Sequence, residues 1–119
     1  MRLVNMYLNQ SGEKFEIVFA RNFFSRAAGL LFREKLNNRQ CLLITQCRSV
    51  HTIGMHYNID VVFIDAFGHI TDIYYNVKPF NVLIASPEAC SVVEFLGGIL
   101  ESFNLSKHET LFNLLDSSN

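Results

Sequence analysis

Hydrophobic residues along this chain recur mostly in short runs bounded by turn residues, the pattern of strands rather than long helices. Leu3 to Leu8 and Phe15 to Ala20 are rich in β-formers, and Asn9 to Glu13 between them supplies turn chemistry, which predicts a hairpin or meander. Cys41 to Ile44, Val50 to Met55 and Ile59 to Asp65 read as further strands. The turn Asp65-Ala66-Phe67-Gly68 leads into a partner strand over His69 to Asn76. Lys78-Pro79 then interrupts pairing, because proline donates no backbone hydrogen bond. A loop to about Glu88 precedes a strand over Ala89 to Phe95, and Glu109 to Leu115 forms a last strand.

Two segments depart from this pattern. Over Asn22 to Glu34, Phe23, Ala27, Leu30 and Leu31 fall at helical spacing, with Asn22 or Ser25 as cap. Gly29 costs that helix about 1 kcal/mol relative to alanine. Gly97-Gly98 opens a second, short helix to about residue 104. With strands that follow one another without long crossovers, the expected fold is mainly β: a single-domain antiparallel β-barrel or sandwich, 1–119, carrying one moderate helix (about 22–34) and one short one (about 98–104).

Composition narrows the function classes. The 119 residues suffice for one domain, and half of them are hydrophobic, with eleven Phe and no Trp. A net charge of −1 supplies no basic field for nucleic acid. There is no signal-peptide pattern and no apolar run long enough to cross a bilayer, so a cytoplasmic protein without membrane attachment is expected. Cys41, Cys47 and Cys90 are odd in number and form no CxxC pair. They argue against a disulfide framework and for a reducing compartment, although one pair could bridge.

Polar residues crowd the stretch Val50 to Asp65, next to a core strand, where each must be paired or costs about 1–3 kcal/mol. A metal site is not expected: Cys47, His51 and Met55 repeat every four residues, which on a strand spans about 13 Å per step. A Cys47 or Cys90 thiolate with His51 has no testable orienting group. Phe23-Phe24 and Tyr74-Tyr75 lack the interleaved basic residues of a base-stacking platform. The remaining candidates are His51, Asp60, Glu94, Arg26 and Arg33, either as arginine–carboxylate pairs pinning the helix to the sheet or as a shared pocket.

Several separated motifs resemble one family. Arg26-Ala27-Ala28-Gly29-Leu30-Leu31-Phe32-Arg33, then Leu36, is similar to R-x-x-G-L-M-F-R-x-x-L. Cys47-Arg48-Ser49-Val50-His51-Thr52-Ile53-Gly54-Met55, followed by Ile59 to Asp65, is similar to C-x-S-V-H-T-F-G-M and I-D-V-V-F-L-D. Gly68, Lys78-Pro79 and Val92 to Gly98 complete the pattern. From about residue 20 to about 112 the chain thus resembles the small prokaryotic family known as domain of unknown function 192. The resemblance implies a compact, mostly β fold and no established activity. Ile53 stands where the family usually has an aromatic residue, Pro79-Phe80-Asn81 lacks its arginine, and His108-Glu109 replaces its Gly-Asp.

The leading expectation is a small binding or accessory domain with a polar or anionic small ligand, and no cofactor. Its site would bring His51, Thr52, Met55 and Asp60 to Arg26, Arg33, Lys78 and Glu94. The cations would hold the ligand, and His51 and Asp60 would orient it. The alternatives are a hydrolase-type enzyme using His51 with Asp60 or Glu94, and a protein–protein interaction module without a small-molecule site.

Overall fold

A computed structural model describes residues 3–8, 11–20, 36–52, 55–79 and 84–113. The expected helix over 22–34, with Arg26 and Arg33, lies outside the described residues.

The fold is mainly β, a curled sheet forming a half-barrel. Nine strands occur among the described residues: β1 (Leu3–Leu8), β2 (Lys14–Ala20), β3 (Gln40–Thr45), β4 (Ser49–Val50), β5 (Ile59–Ile64), β6 (Ile70–Val77), β7 (Ile84–Ala85), β8 (Ser91–Leu96) and β9 (Phe112–Asn113). Seven of them form one sheet in the order β6-β5-β8-β3-β2-β1-β9, while β4 and β7 pair separately as a short ribbon.

The named pairs are antiparallel except β2 with β3, which are parallel. A parallel pair needs a long connection to bring the chain back to the same end. Between β2 and β3 the sequence runs through residues 21–39, long enough for such a connection. Three other expectations change at the edges. The strand expected over Val50 to Met55 survives only as Ser49–Val50, because Thr52 and Met55 are joined by a turn, the Met55 amide donating to the Thr52 carbonyl at 3.1 Å. The short helix is a 3-10 turn, Glu101–Phe103. Among the described residues the last strand is Phe112–Asn113, and it begins later than Glu109 because Glu109 closes a turn on Ser106.

The sheet buries both faces, and side-chain alternation sorts its residues between them. One face carries Val18, Leu42, Ile44, Val61, Phe63 and Val92, covered by Leu36, Met55, Ile84 and Ala89. The other carries Phe15, Ile17, Cys41, Val62, Val93 and Phe95, covered by Leu100, Leu105 and Leu111 from the segment after β8. On that second face Phe15 meets Phe95 edge-on, with ring centroids 5.2 Å apart, and Phe103 of the 3-10 turn closes over Phe15 at 6.5 Å. Each such buried ring contributes about 1.5–3 kcal/mol. Both faces being covered explains why β5 runs Val61 to Ile64 without polar alternation.

Candidate functional site

The β5–β8 register decides where the carboxylates go. Asp60 stands opposite Phe95 and Glu94 opposite Val61. Directly opposed residues share a face, so Asp60 and Glu94 point to opposite sides of the sheet. They do not meet in one pocket.

Asp60 is fully buried on the face covered by the C-terminal segment. Its Oδ1 accepts from the amides of Asn76 at 2.7 Å and Gly98 at 3.1 Å, and its Oδ2 from the amide of Leu100 at 2.9 Å. One side chain thereby ties β5 to the end of β6 and to the turn that starts the covering segment. Gly97 makes that turn possible: its amide donates to the Asn58 carbonyl at 2.8 Å, and a β-carbon there would lie 2.7 Å from the same oxygen.

Glu94 has a different environment. It is 6% exposed, flanked in register by Leu42 and Val61, and no described residue hydrogen-bonds its carboxyl. Burial pushes its pKa up to about 7, because the anion loses solvation. Met55 lies on the same side. Met55 packs in the apolar cluster of that face, and the fully buried Thr52 donates from Oγ1 to the Lys78 carbonyl at 2.8 Å. Lys78 and His51 are exposed. Among the described residues no hydrogen bond joins His51 to Asp60 or Glu94, and no group of three metal-ligating side chains forms.

The structure also shows a polar chain the sequence did not announce. Ser86, fully buried, donates to Asp72 Oδ2 at 2.6 Å. Its single proton is thus committed, so Thr71 Oγ1, 2.7 Å away, is the donor to Ser86. Lys107 completes the chain at 3.1 Å from Asp72 Oδ1. The Ser86 hydroxyl first, and then Lys107, holds the Asp72 carboxyl below its ordinary range. The inward-facing Thr71 was the only signal available in sequence, and its partners lie beyond the proline loop.

A half-barrel of this topology, with one carboxyl locked by backbone amides and another buried without a hydrogen-bond partner among the described residues, defines a small β domain with a candidate binding face. The chain belongs to the domain of unknown function 192 family (Uncharacterized ACR), whose model matches residues 6–112. It is 31% identical over 103 residues to the UPF0127 protein PH1112 of Pyrococcus horikoshii, covering 84% of this chain and 88% of that one. A solved structure of a protein of unknown function from Novosphingobium aromaticivorans superposes with a TM-score of 0.78 at 16% identity, covering 91% of this chain and 83% of that one. Another, a candidate transcription regulator from Sinorhizobium meliloti, gives 0.75 at 21%, covering 92% and 90%. These two likenesses show the fold alone. No helix among the described residues is long and apolar enough to cross a membrane.

Proposed function

We propose that this protein is a small cytoplasmic binding domain whose ligand, a polar or anionic small molecule, docks on the Glu94 face. Glu94 carries the reading: a carboxyl buried among Leu42, Val61 and Val92 with no hydrogen-bond partner among the described residues. Buried carboxyls without partners are costly and concentrate at functional sites. Near neutrality Glu94 exchanges its proton, so it can donate to an anionic oxygen when protonated. In this reading Arg26, Arg33 and Lys78 supply positive charge, and His51, Thr52 and Met55 shape the approach. Asp60 has no part in it, because its oxygens are taken by three amides. The three free cysteines support the cytoplasmic setting.

The test is a thermal-shift and NMR titration with inorganic phosphate, sulfate, acetate and succinate on both sides of the Glu94 pKa. Binding should be tighter on the acid side and be lost in Arg33→Ala. If none of these anions perturbs the resonances of Val61, Val92 or Glu94 under either condition, the reading is wrong.

A further inference from the structure

Cys47 and Cys90 are distant in sequence and adjacent in the sheet. The β3–β8 ladder ends with Thr45 opposite Ser91. Just beyond, Gln46 takes a left-handed φ of 51°, and the Cys47 amide donates to the Cys90 carbonyl at 3.0 Å. Cys90 is held from its other side, its amide donating to the Ile64 carbonyl at 2.8 Å.

Cys47 packs against the apolar cluster that contains Val92. Cys90 stands just before β8, its amide turned to Ile64 and its carbonyl to Cys47. A backbone hydrogen bond between two residues on adjacent segments holds their Cα atoms roughly 5–6 Å apart, inside the roughly 4.4–6.8 Å range that disulfides accept. Both thiols are free, Cys90 exposed and Cys47 half-buried. Cys41 is different: it is fully buried on the other face, and burial pushes its thiol up.

We propose that Cys47 and Cys90 form a redox-active dithiol that a low-molecular-weight disulfide converts to an intramolecular bridge. The Cys90 thiolate, the accessible one, attacks a sulfur of the small disulfide. That S–S bond breaks, one small thiolate leaves, and Cys90 carries a mixed disulfide. Cys47 then gives up its hydrogen bond to the Ser49 carbonyl, now 3.0 Å from its Sγ, loses its proton and attacks the Cys90 sulfur. The second small thiolate leaves. Two protein thiols and one small disulfide become one protein disulfide and two small thiols, so electrons and protons balance. The bridge staples the β3–β4 junction to the segment between β7 and β8, beside the β4–β7 ribbon.

The experiment treats the full chain with oxidised glutathione, blocks remaining thiols with N-ethylmaleimide and maps the products by mass spectrometry. Wild type should yield a Cys47–Cys90 linked peptide, with Cys41 blocked only after denaturation. Cys47→Ser should stop at the glutathione adduct on Cys90. Cys90→Ser should react about tenfold more slowly or less, as its remaining thiols are shielded. Circular dichroism confirms that both variants fold. Persistence of the Cys90 adduct in wild type at the level of Cys47→Ser, links between molecules only, or no reaction in the native chain while the denatured chain reacts would each overturn the proposal.

Discussion

Glu94 makes the stability of this protein depend on pH in a direction opposite to ordinary carboxylates. Its pKa rises from 4.5 to about 7 on folding, so between those values the folded chain binds more protons than the unfolded one. Stability from this group is fully present below the lower value and is lost as pH rises through the upper one. At 1.36 kcal/mol per pKa unit the loss amounts to roughly 3 kcal/mol, a large part of the about 5–15 kcal/mol typical of a domain. Glu94→Gln keeps the shape and cannot ionise. Asp65 and Asp72, whose pKa values are lowered, act on the acid side and are common to both proteins, so the difference between wild type and variant isolates Glu94. Urea unfolding between about pH 4 and pH 8.5 should show the two proteins within about 1 kcal/mol at the acid end. At the alkaline end the variant should be more stable by roughly 2–3 kcal/mol. A difference that stays constant to within about 0.5 kcal/mol across that window would refute the burial argument.

Asp60→Ala leaves three amides, that of Leu100 buried, without an acceptor and should cost about 2–4 kcal/mol in urea unfolding; a loss under about 1 kcal/mol would mean that water replaces the carboxylate. Gly97→Ala sets a β-carbon against the Asn58 backbone, 2.8 Å from its carbonyl carbon, and should destabilise by about 1–3 kcal/mol, with faster hydrogen exchange at Gly98 and Leu100 if the turn opens. Ser86→Ala removes the link between Thr71 and Asp72 and should cost about 1–3 kcal/mol; the Asp72 carboxyl, followed by NMR, should then titrate closer to its ordinary range.

Strands were legible wherever a run of apolar residues was closed by turn chemistry. The Ile59–Ile64 and Ile70–Val77 pair illustrates this: Asp65 accepts from the amides of Phe67 and His69, and Gly68 takes a φ of +82°, both encoded locally. The parallel β2–β3 pairing was not legible, because strand order is set by long-range packing and sequential runs look the same whether they pair as hairpins or cross over. The candidate site was legible as a list of polar residues beside core strands. What the list could not carry was face. Asp60 and Glu94 sit on different strands with no turn between them to fix register, and a slip of one residue exchanges the two sides. Thr52 and Met55 also read as strand residues, whereas a turn places one under Lys78 and the other in the apolar cluster.

The contrast between the two carboxyls follows from where each stands in the ladder. Asp60 lies near the start of β5, beside a pairing irregularity with β6 and across from the point where the chain leaves β8. Amides there have left the ladder and need acceptors, and a short carboxylate supplies two oxygens for three of them. Glu94 lies in the middle of β8, which is paired on one side with β3 and on the other with β5. The backbone amides around it are spent within the sheet, so none can turn up to meet its oxygens. Any group that answers Glu94 must therefore come from above that face, from a side chain of a covering segment or from a bound molecule. Replacing the carboxyl by leucine would suit a purely structural strand better, since Leu42, Val61 and Val92 already surround it. An ionisable group buried in the middle of the sheet is the reason to look for what it holds.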